Sequence, residues 1–314
     1  MDMQTLPKKT ATAATAEALR LEIETLAADY SIETLPSESI KIPSYRDILP
    51  NGKTVNIAYL PGSDFRLVAR TAARLRDEGF EPVPHLPARA FRSTEELDDA
   101  LRLLHGEAGI VEVLAIAGGI ATPRGPFPDT MSLLETGLLQ KYGIARIGVG
   151  GHPEGSPDID DTGLGTALRA KNDFAVGSGL AMHLTTQFCL DAAPVFAWDV
   201  ATRMDGITLP IHVGLPGVTT LKSLMRFAKI CGVGPSRRAL FRDTRKLVRL
   251  SAISYPDRLV TAIARQRLAD PSCRIRRLHF FPFGGLARTA NWLARIASGE
   301  IELNADLSGF TLLD

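Results

Sequence analysis

The chain has 314 residues, of which 45% are hydrophobic and 23% charged, a composition that excludes general disorder. Its 36 Lys and Arg against 35 Asp and Glu leave a net charge of +1, so no overall basic field draws it to nucleic acid. Cys189, Cys231 and Cys273 are scattered and form no CxxC pair, which excludes a disulfide framework and points to a reducing, cytoplasmic setting. No apolar run reaches the ~18–20 residues that a membrane span needs, and MDMQTLPKKT lacks the apolar core of a secretory signal.

An Ala- and Glu-rich stretch from Ala11 to Ala28 predicts an N-terminal helix, an extension over residues 1–29 ahead of a single domain over 30–314. Short apolar runs then alternate with amphipathic segments. The strand-length runs are Tyr30–Leu35, Thr54–Leu60, Glu81–Leu86, Val111–Ala117, Ala145–Gly150, Leu180–Phe188, Leu209–Gly214 and Leu278–Phe283, most of them bounded by Gly, Pro or Asp. Asp64 is placed to cap a helix over Phe65–Glu78, with Gly79 at its end. Ser93-Thr-Glu-Glu96 forms a capping box for a helix running to about His105, and Thr219 or Thr220 caps a segment to Cys231. Eight strand–helix units predict an α/β fold, a (β/α)₈ TIM barrel with a helical insertion, Pro235 to Ala269, before the last strand. A doubly wound sheet is the rival, but Pro36-Ser37-Glu38 after the first strand is no phosphate-binding turn.

In such a barrel chemistry sits at the C-terminal strand ends. These hold Glu33, Tyr59, His85, Gly118-Gly119, Gly150-Gly151-His152, Gln187 and Phe283-Gly284-Gly285. A carboxylate between Ile32 and Leu35 is costly to bury unless paired or protonated. Kept protonated, it is a competent general acid near neutrality; the alternative is a glutamate facing solvent or an arginine. Gln187 carries a donor and an acceptor suited to a heterocycle with an amide-like edge, or to a hydrogen bond at the barrel rim.

His85, His152, His183, His212 and His279 all lie in or just after strands. The H-x-H pair of metal-dependent barrel hydrolases is absent, and strand alternation predicts that several of these rings face the helices; no metal is expected. Gly148–Pro153 and Gly163–Leu168 miss the dinucleotide fingerprint, although their amides could serve a phosphate. The basic run from Arg237 to Arg249 reads as a solvated helix face.

Taken in order, these segments resemble the methylenetetrahydrofolate reductases, flavin-dependent (β/α)₈ barrels, from about Tyr30 to Ile296. Tyr30-Ser-Ile-Glu-Thr-Leu-Pro36 is similar to the family's S-F-E-F-F-P-P, which implies Glu33 as catalytic acid. Val83-Pro-His-Leu86 resembles A-P-H-L, and Leu168-Arg-Ala-Lys-Asn-Asp173 resembles L-x-x-K-x-D; these imply His85 and Lys171 at the flavin. Gly151-His-Pro-Glu-Gly155 resembles Y-P-E-x-H-P, which places His152 beside the flavin. Leu184-Thr-Thr-Gln-Phe-Cys-Leu-Asp191 resembles I-T-Q-F-F-F-D, implying that Gln187 holds the pterin, and Leu278-His-Phe-Phe281 resembles the last strand. The L-R-G-D turn is here Ile116-Ala-Gly-Gly119, so Gly118 and Gly119 stand in that cofactor position; Arg288 is the nearest arginine after the last strand, and Tyr59 lies at the substrate end.

The resemblance implies hydride transfer from NADH or NADPH, through FAD, to 5,10-methylenetetrahydrofolate, or the reverse from 5-methyltetrahydrofolate. Its partners would be a folate and further copies of the chain in a homo-oligomer, with no membrane and no nucleic acid. The replaced turn residues leave two alternatives: a flavin-independent folate reductase using NADH directly, and a non-catalytic folate-binding partner subunit.

Overall fold

The computed structural model describes residues 8–156, 158–230 and 253–314. Eight strands close a wholly parallel barrel: β1 (Tyr30–Thr34), β2 (Thr54–Ile57), β3 (Glu81–Pro87), β4 (Glu112–Ile116), β5 (Arg146–Gly151), β6 (Ala181–Phe188), β7 (Ile211–Pro216) and β10 (Ile275–Phe281). The order around the barrel is β1-β10-β7-β6-β5-β4-β3-β2. All eight predicted strands are therefore present, and the TIM barrel is the fold. A short antiparallel pair, β8 (Thr219–Thr220) with β9 (Ile253–Ser254), follows β7, and β11 (Ile301–Leu303) with β12 (Phe310–Leu312) forms a second antiparallel pair after β10.

The hydrophobic core is the sleeve between strands and helices. Tyr30, Ile32, Val55, Ile57, Val113, Ile147, Val149, Leu184, Ile211, Val213, Leu215, Leu278 and Phe280 alternate along the strands and join one buried cluster with the helices. Burying one side chain such as Ile32 contributes roughly 1.5–3 kcal/mol. The helix α3 (Phe65–Asp77) shows how a stripe forms: Val68, Ala69, Ala72 and Leu75 recur at helical spacing and are buried. Asp64 caps it, accepting from the Arg66 amide. The helix α4 (Thr94–Ala108) runs past the predicted His105 to Gly109, whose φ of 52° lets a left-handed residue close it. Ser93 caps it through the Glu96 amide, while the Glu96 carboxylate accepts from the Arg92 amide rather than completing a box with Ser93.

The N-terminal helix, α1 (Lys8–Ala28), is longer than predicted. Leu19, Ile23 and Leu26 bury into the main cluster, and Glu22 pairs with Arg267 at 2.8 Å on α10 (Asp257–Ala269). The segment therefore packs on the barrel. Thr220 caps α9 (Leu221–Ile230) through the Ser223 amide, as its spacing suggested. Cys231, the basic run from Arg237 to Arg249 and the first part of the predicted insertion lie outside the described residues; β9 and α10 are its described part.

Strand β6 shifts register between Thr185 and Phe188, where Gly214 of β7 donates its N–H to Thr186 Oγ1 at 2.8 Å. A Cβ on Gly214 would stand 2.5 Å from the Thr186 carbonyl, so only glycine allows this approach. Gly214→Ala should therefore lower unfolding free energy by about 1–3 kcal/mol in urea denaturation. Gly119→Ala, at a position with nothing within 4 Å of the added carbon, should change it by less than about 0.5 kcal/mol.

Candidate active site

Alternation along β1 turns Ser31 and Glu33 into the barrel, and its register pairs Ser31 with His279 of β10 and Glu33 with Asn56 of β2. Ser31 Oγ and His279 Nδ1 are hydrogen-bonded at 2.9 Å. The other nitrogen of His279, Nε2, lies 3.7 Å from Glu33 Oε2, and His85 Nε2 of β3 lies 3.8 Å from the same oxygen. Both Nε2 atoms are buried and have no hydrogen-bond partner, while the Glu33 side chain keeps 19% of its surface open. Two imidazoles thus flank one partly open carboxyl inside an otherwise closed barrel. Burial pushes His85 down to about 4, with Glu33 opposing and His279 adding to the shift. His85 is therefore neutral at pH 7, and its contact with Glu33 is no ion pair there.

His183 and His212 are stacked with ring centroids 3.9 Å apart, on strands whose neighbouring residues Met182, Leu184, Ile211 and Val213 pack outward. The expectation that several strand histidines face the helices is thus wrong for His85, His183, His212 and His279. The apolar sleeve takes the alternate positions and leaves the polar residues the interior. Burial holds His183 at about 3 and depresses His212 as well.

At the mouth beyond β5, in α7 (Asp161–Ser178), Lys171 is buried and donates from Nζ to the Gly150 carbonyl at 2.9 Å. Burial lowers it to about 8, with Asp129 opposing. Its charge and burial push the neighbouring His152 to about 4, burial being the larger cause. Gly118 takes φ 90° against Pro87, and Gly119 opens onto free space.

The structure gathers Glu33, His85 and His279, and separately Lys171 and His152. It does not bring Gln187 to Glu33 by any direct bond among the described residues. Gln187 is exposed at the β6 shift, and its Oε1 accepts from the Phe188 amide at 3.1 Å, which leaves the Nε2 donors for other use. Tyr59 is half-buried against Phe65, and Arg288 is exposed in the first turn of α11 (Leu286–Ala297). Sequence reasoning passed over Ser31 and His279 as a pair. It also passed over an aromatic wall in which Phe281 meets Phe188, Phe283 and His279 at 5.7, 6.0 and 4.7 Å. The alternation of His279 and Phe281 in the last strand, continued by Phe283 just beyond it, was its available signal.

A cavity of about 480 Å³ opens at the opposite, N-terminal end, lined by Thr54, Glu112, Arg146, His183, His212 and Arg277 among others. Two of its arginines are paired within the lining, Arg146 to Glu112 at 2.6 Å and Arg277 to Asp29 at 2.5 Å. In a TIM barrel that face serves stability and the other carries chemistry.

Fold and site together define a (β/α)₈ barrel with an acid–histidine cluster toward the C-terminal ends of its strands. The family model for methylenetetrahydrofolate reductase matches residues 47–240, and the chain belongs to that family. Methylenetetrahydrofolate reductase 1 of Schizosaccharomyces pombe (strain 972 / ATCC 24843) is 31% identical over 205 residues, covering 60% of this chain. The match spans 31% of that relative, about a third of its length. A solved structure of an uncharacterized protein from Clostridium thermocellum, which binds two copies of 5-methyl-5,6,7,8-tetrahydrofolic acid, shares the fold. Its TM-score is 0.56 at 12% identity, over 88% of this chain and 97% of that one.

The depressed histidines make stability depend on pH. A base whose folded pKa lies below its unfolded value binds fewer protons in the folded state, so stability is full above about 6.5 and falls as pH drops toward about 4. Urea midpoints should fall across that window, and His85→Gln should flatten the slope by up to about 1.4 kcal/mol per pH unit.

Proposed function

We propose that the chain is a folate-dependent oxidoreductase that moves hydride between a nicotinamide and the one-carbon unit on tetrahydrofolate, with Glu33 as the acid. The observation that carries this reading is the carboxyl of Glu33, partly open at the catalytic end between two buried, unpartnered imidazole nitrogens. Reducing 5,10-methylenetetrahydrofolate requires its five-membered ring to open, and opening needs a proton on the departing nitrogen. Glu33 supplies that proton. His279, held by Ser31 through Nδ1, turns its Nε2 toward the carboxylate left behind. His85, kept neutral by burial, completes the flank without adding charge. Gln187 orients the pterin through its free Nε2 donors, and Arg288 and Tyr59 border the remainder of the substrate.

The donor set suits a flavin. Lys171 uses one of its three N–H donors on Gly150, His152 stands beside it, and the turn leaves room at Gly119 while Gly118 packs on Pro87. These residues, with His85, would hold FAD, which when bound supplies a two-electron relay between nicotinamide and carbon. The replacement of the family's acidic turn residue by Gly119 motivates a second reading in which NADH donates hydride directly.

Glu33→Gln should reduce kcat by about a hundredfold or more while folate affinity, measured by calorimetry, stays within about threefold. Near-normal turnover in that variant would overturn the acid assignment. Protein reconstituted with FAD should retain a visible flavin band at about one per chain after gel filtration; its loss, with turnover intact, would favour the direct route.

A further inference from the structure

The helix that follows β6, α8 (Ala193–Met204), has its polarity turned inside out. Its exposed positions are Ala193, Ala197, Val200, Ala201 and Met204, all apolar, with Val200 open to 43% and Met204 to 83%. They recur at i, i+4, i+7, i+8 and i+11, which places them on one face. The charged residues of the helix face the other way. Asp199 is buried, accepts from the Arg274 amide at 3.2 Å and lies 3.2 Å from Arg203 Nε. Arg203 in turn donates from Nη2 to Asp270 at 2.6 Å. On α4, by contrast, the exposed side chains are polar, Glu95, Asp99 and Arg102 among them.

These inward contacts fix the setting of α8. Turning its apolar stripe toward the barrel would pull Asp199 off the Arg274 amide and separate buried charges from their partners. A single exposed apolar side chain is ordinary, whereas a whole helix face without a charge marks a contact surface. The face is also complementary to itself. Ala193, Ala197 and Ala201 make a shallow row four residues apart, and Val200 and Met204 make a raised row beside it. Rows of this spacing pack ridge into groove, so one copy's raised row fits the other copy's shallow row about a two-fold axis.

Charge sets the direction. Asp191, exposed at the N-terminal end of α8, spends Oδ1 on the Ala193 amide at 3.0 Å. At the C-terminal end Arg169 of α7, half exposed, is held loosely by Asp205 at 3.7 Å. Antiparallel pairing brings each Asp191 toward the other copy's Arg169 and opposes the two helix dipoles. We propose that α8 is the interface of a two-fold homodimer, in which two copies of the chain pack this face antiparallel. The interface stands apart from the chemistry at Glu33. A helix of 12 residues is about 18 Å long, and its contact buries less than the ~800 Å² per partner of a standard interface. The dimer is therefore weak and forms at micromolar concentration.

The test is sedimentation equilibrium of the full chain from about 1 to about 300 μM. The wild type should pass from monomer to dimer with a midpoint of about 10–100 μM. Ala197→Glu sets like charges against each other across the axis at an exposed position. It should weaken the dimer at least about tenfold and leave the urea midpoint of unfolding unchanged. Ala294→Glu, exposed on α11, should leave the dimer intact. D191R and R169D should each weaken it about threefold, and the double variant D191R/R169D should restore it. A wild type that stays monomeric throughout overturns the proposal, as does a dimer that A197E leaves unchanged. Failure of the double variant to restore the dimer overturns the antiparallel setting.

Discussion

Closure of the barrel between β1 and β10 is the constraint on which the site depends. Ser31 and His279 are 248 residues apart in sequence, yet the parallel register sets them opposite one another at 2.9 Å. That bond fixes the imidazole whose far nitrogen faces Glu33. A carboxyl inside a barrel is costly unless its neighbours receive it. Here the neighbours are two histidines on β3 and β10, whose Nε2 atoms lie too far for a direct hydrogen bond to Glu33 and have no other hydrogen-bond partner. The arrangement leaves the carboxyl partly open to a substrate while its surroundings are rigid and buried.

The same alternation that builds the sleeve creates this interior. Most large apolar strand side chains go to the helices, so many inward positions are free for Ser, Thr, Asn, His and Glu. Glycine does the rest: Gly148 and Gly214 face inward where a Cβ would strike His183 or the backbone of β6. The N-terminal end of the interior is crowded by stacked histidines and paired arginines, and the other end holds Glu33, His85 and His279.

Local signals made much of this legible. The Asp64 and Ser93 caps, Gly79 after α3 and all eight barrel strands follow from patterns a few residues long. Glu33 stood out because a charged residue interrupts an apolar strand. What stayed hidden depends on pairing between strands. The partnership of Ser31 with His279 and the stack of His183 on His212 follow from register, which no local pattern carries. The engagement of the Gln187 oxygen by the Phe188 amide depends on a register shift that glycine permits on the neighbouring strand. The family resemblance, carried by short segments in shared order, reached the right family and left the replaced turn at Gly118 and Gly119 to be read from the geometry.

The central claim is that this barrel moves hydride to or from the one-carbon unit of a folate. It is tested most directly by incubating the purified chain, with FAD supplied, with 5,10-methylenetetrahydrofolate and nicotinamide cofactor carrying deuterium at the transferable C4 position. The folate product is then analysed by mass spectrometry. The account predicts a 5-methyl group formed with the protein present and absent without it. With NADH donating directly, that methyl carries one deuterium. With flavin relaying, the label reaches the methyl in part, because reduced flavin exchanges it with water. No methyl product with either NADH or NADPH, together with no oxidation of 5-methyltetrahydrofolate in the reverse direction, would contradict it.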